Sequence, residues 1–450
     1  MDQRQLRTSK RSAVRFVIYA IIILLVYRLI ASFASDDEQA PSDTTTSSKQ
    51  PAPHLSDNAK EAADKKPESQ SVTNDQVEIK PDLNFPWYPK AKKLSTPERI
   101  ELEQQAMVKS RRMALEALSE YNIQGIPGSS IKTAQQAKDF HQKVQCFTQG
   151  SWVYAPHERP LLKHLQEPLY SKCDKRYAKG EQLNDKSEWK VRPDLKYIWS
   201  PLDKTQCPLR PIEKSNWCNM LGGRHVLLVG DIVQFQMHEL LLDTFRDGPA
   251  VCYGELNCKD HTLCAEPETR LRYLRNDVLS VVRKNPEVSH GKPHMRVVQW
   301  PWITSNVLDR FPVLILNRGG SYVPDEEFRN QLIETIKNIR NAKQEHLVIY
   351  RSTPIGHPEC DSATGPLASR PTESELQDLP YRWGDFKRQN MIAKEIVEAA
   401  GGVFVDIAQM ADLRPDGHIG GHDCMRYCIP GPADAWVDVL YNVFLLLEQQ

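Results

Sequence analysis

From about residue 140 onward, short continuous apolar runs alternate with amphipathic stretches. Residues 225–229 precede 234–245, 313–316 precede 325–343, 346–350 precede 383–400, and 403–405 lead toward a last apolar stretch at 433–447. Runs this short read as strands buried on both faces, whereas the longer stretches repeat at the helical period. Strand–helix alternation predicts a mostly parallel sheet covered by helices on both sides, that is, a three-layer α/β domain over residues 140–450. Ligands of such sheets bind beyond the carboxyl ends of the strands. That rule selects Asp231 after the first strand, Asn317, Arg318 and Gly319 after the second, and Arg351, Ser352 and Thr353 after the third.

The N-terminal part follows another pattern. An apolar run at 16–27 comes after Arg4, Arg7, Lys10 and Arg11 and resumes at 29–31 beyond Arg28. Basic residues before an apolar segment stay cytosolic, and an arginine near the end of a span can snorkel to the headgroups. The pattern predicts a cytosolic tail at 1–13, a signal-anchor transmembrane helix at 14–33 and a type II topology. An uninterrupted run of only 12 residues also fits a cleaved signal peptide with its site near Ala34. Either way the remainder is luminal or secreted. Residues 34–94 are mostly polar and proline-containing and bury too little to offset their ordering entropy, so they are expected as a disordered stem. Ser95-Thr96-Pro97-Glu98 then carries a hydroxyl cap, a proline in the first turn and a glutamate three residues on, which predicts a helical lead-in over 95–139.

Composition narrows the function classes. With 58 basic and 58 acidic residues the net charge is zero, which disfavours nucleic acid and other polyanions as partners. All ten cysteines lie between Cys146 and Cys428. In an oxidising compartment they read as a disulfide framework whose connectivity is not legible; the Cys424/Cys428 spacing tempts a zinc reading, but no paired CxxC set supports it. The chain shows no internal repeat and no N-x-S/T sequon.

Two segments carry more specific chemistry. Leu227-Leu228-Val229-Gly230-Asp231-Ile232 runs from a strand through a tight turn into a helix. Toward the end stand Arg414-Pro415-Asp416-Gly417-His418 and the block Asp423-Cys424-Met425-Arg426-Tyr427-Cys428-Ile429-Pro430-Gly431-Pro432-Ala433-Asp434-Ala435-Trp436. The first resembles the G-D-S turn of SGNH-type hydrolases and PC-esterases. The last resembles the D-C-x-H-W-C-L-P-G-x-x-D-x-W block of PC-esterases and trichome birefringence-like acyltransferases. The resemblance implies an SGNH-like α/β fold and, in the family, a serine nucleophile at the helix start with a histidine base oriented by the aspartate three residues before it. This chain keeps Asp423 but carries Ile232 at the nucleophile position and Arg426 at the base position. Isoleucine has no nucleophilic atom, and a guanidinium stays protonated without an acceptor lone pair, so the family's acyl-enzyme cannot form there. Asp423 and Arg426 are expected to form an ion pair instead.

Asn317-Arg318-Gly319 resembles the family's N-x-G segment, and Arg351-Ser352 its R-S segment. Gly230, Asp231, Asn317, Gly319 and His422 are therefore candidates for binding or oxyanion roles, and Arg351 for holding a carboxylate or shaping the pocket floor. Equally, these residues satisfy turn backbone and pair locally. His422, His418 and His238 are alternative bases, Ser321 and Thr353 alternative hydroxyls, and Trp300, Trp302, Trp383 and Trp436 either stack on sugars or fill the core.

The resemblance implies a luminal, membrane-anchored, Golgi-type protein of a polysaccharide O-acetylation pathway. With two triad positions replaced, it is expected to be catalytically degenerate and to act by binding a glycan or a partner acetyltransferase. The alternative is an active O-acetyltransferase or carbohydrate esterase that uses Asp423 or a nearby histidine without a serine, with an acetyl donor as co-substrate. A third reading is a structural luminal partner without a ligand. No cofactor and no metal are expected.

Overall fold

A computed structural model of the chain describes residues 92–155, 173, 192–246, 257–281, 288–289, 292–293, 297–320, 322–421 and 423–448. These lie in one of the two units into which the chain divides, Glu78–Gln450. The expected tail (1–13), anchor helix (14–33) and all but the last residues of the stem (34–94) fall outside the described residues. Among the described residues no helix is long and apolar enough to cross a membrane.

The principal helices are α1 (Thr96–Leu118), α2 (Ala134–Thr148), α3 (Lys214–Leu221), α4 (Ile232–Phe245), α5 (Asp325–Ala342), α6 (Phe386–Ala399) and α7 (Asp434–Glu448). The strands used below are β1 (Gly150–Tyr154), β2 (Tyr197–Pro201), β3 (Val226–Gly230), β4 (Asn257–Cys264), β5 (Thr269–Arg275), β6 (Val313–Leu316), β7 (Leu347–Arg351), β8 (Val403–Val405), β9 (His418–Gly420) and β10 (Asp423–Tyr427). Six of them form one sheet in the order β8-β7-β6-β3-β5-β4. Every neighbouring pair is parallel except β4 with β5. The mostly parallel α/β sheet is thus present, with an antiparallel edge that the apolar pattern did not announce. From β3 the chain places β5 on one side and β6 on the other, so the crevice at the carboxyl end of β3 is the switch point where ligands of such sheets sit.

Strand side chains alternate between two cores. Val226, Leu228, Val313, Ile315, Leu347, Ile349, Val403 and Val405 pack with α2, α3, α4 and α7. Leu227, Val229, Leu314, Leu316, Val348, Tyr350 and Phe404 pack with α1, α5 and α6 on the other face. Burial on both faces is why these strands read as continuous apolar runs rather than alternating ones. Each buried aliphatic side chain contributes roughly 1.5–3 kcal/mol relative to exposure, which makes the two cores the main source of stability.

The helix after Ser95 begins where its cap predicts: the Glu98 carboxylate accepts the Ser95 N–H at 2.7 Å. Its inner face, Ala106, Ala114 and Leu118, belongs to the second core. β1 and β2 form a separate antiparallel hairpin, as do β9 and β10. The turn of the second hairpin has φ of +78° at Gly420 and +59° at Gly421, a left-handed backbone that glycine adopts without a Cβ clash. Disulfides join Cys146 to Cys207, Cys173 to Cys428, Cys218 to Cys264 and Cys360 to Cys424. Cys424 and Cys428 therefore tie β10 and the residue after it to two different parts of the chain, which excludes the zinc reading of that pair.

Candidate functional site

At the carboxyl end of β3 the chain turns within one residue into α4. Gly230 is required there by close approach: a Cβ would lie 2.8 Å from the Gln234 side chain and 3.0 Å from the Asn317 carbonyl oxygen. Asp231 caps α4, its Oδ1 accepting the N–H groups of Val233 and Gln234, each at 2.9 Å. Ile232 is the first residue of the helix, partly buried and packed against the first core. Among the described residues neither the Ile232 nor the Gly319 backbone N–H meets an acceptor.

Arg351, at the end of β7, reaches back under this turn. Its Nη2 donates to Asp231 Oδ1 at 3.2 Å and its Nε to Gln234 Oε1 at 2.6 Å. The two charged side chains are 2% and 5% exposed. Burial pulls the Arg351 pKa down, and the Asp231 carboxylate opposes that pull. The guanidinium also lies 5.9 Å from the ring of Trp436, which is core rather than surface. Gln234 closes the frame by donating to the Ile315 carbonyl at 2.8 Å.

The segment after β6 is committed to the same frame. The Asn317 N–H donates to the Val229 carbonyl at 3.0 Å, and its Nδ2 donates to Thr353 Oγ1 at 2.9 Å and to the Arg351 carbonyl at 3.3 Å. The side-chain amide expected as an oxyanion donor thus spends its protons inside the fold. Thr353 passes its own hydroxyl proton to the Arg318 carbonyl at 2.9 Å and offers no free nucleophile. Gly319 has no room for a Cβ, which would come within 2.1 Å of Thr353 Oγ1. Gly320, at φ +77°, lies beside Asp231 Oδ2. Arg318 turns away from the crevice and stacks on Phe328, 4.8 Å from its ring centre, where burial lowers its pKa to about 10.

The second half of the site is the β9–β10 hairpin. Asp423 Oδ2 accepts from Arg426 Nε at 2.6 Å, and Asp423 Oδ1 accepts the Arg426 N–H at 3.0 Å. Both side chains are 21% exposed. α4 reaches this strand directly: Gln236 Nε2 donates to the Tyr427 carbonyl at 2.6 Å, and the Tyr427 N–H donates to Gln236 Oε1 at 2.9 Å. Gln236 lies one turn beyond Ile232, and Tyr427 follows Arg426, so Ile232 and Arg426 stand on elements stitched together by this pair. From the other side the His357 N–H donates to the Cys424 carbonyl at 3.1 Å, beside the Cys360–Cys424 disulfide.

The alternative bases are placed elsewhere. His418 is buried, with Nε2 2.7 Å from His357 Nδ1 and Nδ1 3.1 Å from the Arg426 carbonyl, so both ring nitrogens are occupied in holding the hairpin. His238 is fully buried in α4, and burial followed by the neighbouring His261 lowers its pKa to about 3. His422 and Ser321 lie outside the described residues. Trp302 belongs to the second core, Trp300 packs against it, and Trp383 joins a small third cluster with Ile355 and Met425. Gln234, Gln236 and His357 were not singled out from the sequence: two amides inside an apolar helix and a histidine in a loop carry no distinguishing spacing.

Residues 325–443 match the family described as "PC-Esterase: GDSL/SGNH-like Acyl-Esterase family found in Pmr5 and Cas1p". Over 310 residues the chain is 20% identical to xyloglucan O-acetyltransferase 1 of Arabidopsis thaliana, covering 56% of this chain and 71% of that protein. It is 24% identical over 147 residues to xyloglucan O-acetyltransferase 2 of the same plant, covering 28% of this chain and 35% of that one. A shorter stretch of 67 residues is 34% identical to the Arabidopsis thaliana protein trichome birefringence-like 25, covering 11% and 15%. With the mostly parallel sheet and the Asp423 block in place, residues 325–443 carry a PC-esterase family segment, and the chain is similar to plant xyloglucan O-acetyltransferases and trichome birefringence-like proteins.

Proposed function

We propose that this chain serves polysaccharide O-acetylation by binding a glycan, or a partner acetyltransferase, in the crevice at the end of β3, without forming an acyl-enzyme of its own. The observation that carries this reading is the pairing of Ile232 at the start of α4 with an Arg426 bonded to Asp423. No side-chain atom at position 232 can attack an acyl carbon, and Arg426 cannot accept a proton. Around them the frame is kept: Asp231, Gln234, Arg351 and Asn317 interlock, and the Ile232 and Gly319 N–H groups remain as donors for a sugar hydroxyl or an ester carbonyl. Two of the relatives named above are xyloglucan O-acetyltransferases, which makes a cell-wall-type polysaccharide the ligand class of choice. A serine-independent enzyme using Asp423 is less well supported, since the Arg426 guanidinium and N–H bonded to its two oxygens favour the carboxylate and make it a weaker base. The apolar run at 16–27 supports placement of the domain in the lumen of the Golgi or another secretory compartment, held by a type II anchor.

The test is to titrate the purified full chain with xyloglucan oligosaccharides by calorimetry and, in parallel, to measure acetyl transfer to them. Binding without transfer is the expected result. Robust transfer abolished by Asp423→Ala would replace this reading with the enzymatic one.

A further inference from the structure

Tyr381 and Arg382 are consecutive and both left-handed, with φ of +55° and +61°. A non-glycine residue in that region carries a backbone cost that glycine would avoid, and such residues persist where the surroundings over-determine them. Here two anchors do so. Arg382 Nε donates to Asp385 Oδ2 at 2.5 Å, and its Nη2 donates to the Tyr322 hydroxyl at 2.9 Å, with the guanidinium 4.1 Å from the Tyr322 ring centre. Tyr381 lies 5.1 Å from the Trp383 ring, and both belong to the cluster that contains Met425 of β10.

The turn therefore touches the segment after β6 through Tyr322 and the β10 strand through the Met425 cluster. Tyr322 follows Gly320, which lies beside Asp231, and Met425 stands between Asp423 and Arg426. Tyr322, Tyr381 and Arg382 are all partly exposed. The charged groups acting on the Tyr322 phenol are Arg382, Asp385, Asp325 and Arg388, two of each sign. Arg388 is itself bonded to Asp325 and Asp385. The rim is thus aromatic, rich in polar tips and electrically balanced. Those are the properties that match an uncharged pyranose, whose ring offers an apolar C–H face inside a border of hydroxyls. A uronic-acid sugar would instead call for an uncompensated cation; among the described residues the cations around the Tyr322 phenol, Arg382 and Arg388, are each paired with a carboxylate.

We infer that Tyr322, Tyr381 and Arg382 form the subsite that receives a neutral pyranosyl residue of the glycan. This deepens the glycan-binding reading above and rests on it. The Tyr381 ring and the Arg382 guanidinium explain why neither left-handed position is a glycine: their removal would relieve the backbone and empty the subsite.

The experiment is calorimetric titration of the full chain with neutral xyloglucan oligosaccharides and with oligogalacturonates, for wild type, Tyr381→Gly and Tyr322→Leu. A companion measurement needs no variant: nitration of wild type by tetranitromethane with and without saturating xyloglucan oligosaccharide, with the 59% exposed Tyr154 as internal reference. Expected are binding of the neutral sugar only, at least about tenfold weaker binding in both variants, and protection of Tyr322 and Tyr381 but not Tyr154. Neutral-sugar binding that is unchanged in the variants and leaves both tyrosines unprotected overturns the subsite while the glycan reading stands. Preference for oligogalacturonate overturns the neutral class. Binding of neither sugar by wild type removes the glycan reading and the subsite with it.

Discussion

The candidate site contains two arginine–aspartate pairs that differ in almost every physical respect. Arg351 ends β7 and Asp231 caps α4; the two are 2% and 5% exposed and share Gln234 as a third partner. Asp423 and Arg426 are three residues apart on one strand and each 21% exposed. Truncating one member of a buried pair leaves a charge without solvent or partner, whereas a partly solvated pair gives up little. The first pair is therefore part of the scaffold and the second is an occupant of it. Scaffold and reactive positions are separable in this fold, and that is how a chain can hold Ile232 and Arg426 inside an intact frame.

The contrast is sharpest in the response to mutation. Arg351→Ala removes the cation paired with the buried Asp231 carboxylate, which keeps its two N–H donors from α4, and the donor to Gln234 Oε1; the expected loss is roughly 3–5 kcal/mol, read by urea unfolding. A loss below about 1 kcal/mol would erase the distinction between the pairs. Gln236→Ala removes both bonds to the Tyr427 backbone and leaves a buried N–H and C=O unpaired, for an expected cost of roughly 1–3 kcal/mol in the same assay. His238 adds a buried ionisable group that, unlike Arg351, is held neutral. Its folded pKa of about 3 lies below the ordinary 6.5, so the unfolded chain takes up the proton first as the pH falls. Stability from this group is full above pH 6.5 and declines steadily toward pH 3, by about 2 kcal/mol at pH 5; His238→Phe should flatten that part of the curve. Asp423→Ala comes last, with an expected change of about 1 kcal/mol or less.

Much of the frame was legible because burial on two faces writes itself as uninterrupted apolar runs. Residues 313–316 and 403–405 coincide with β6 and β8, and the expected strands at 225–229 and 346–350 differ from β3 and β7 by one residue at each end. β5 escaped notice because Arg270, Arg272 and Arg275 interrupt Leu271, Tyr273 and Leu274, so its pattern resembles neither a core run nor a helix. The β9–β10 hairpin was hidden inside the motif block, whose residues drew attention as chemistry rather than as a strand. The Asp423–Arg426 contact followed from the resemblance to the family block, where the aspartate meets the residue three on, together with the opposite charges of the two side chains. That Asn317 spends its amide protons on Thr353 and Arg351, and that His418 faces His357, depends on tertiary packing between distant segments that local sequence does not encode.

The most direct measurement is acetyl-ester hydrolysis and acetyl transfer to xyloglucan oligosaccharides by the wild-type chain beside the Ile232→Ser/Arg426→His double variant. A kept scaffold without its reactive groups predicts an inert wild type and turnover gained by the double variant. Turnover by wild type that is lost in the double variant would contradict the account and make Ile232, Arg426 or both part of a working catalytic site.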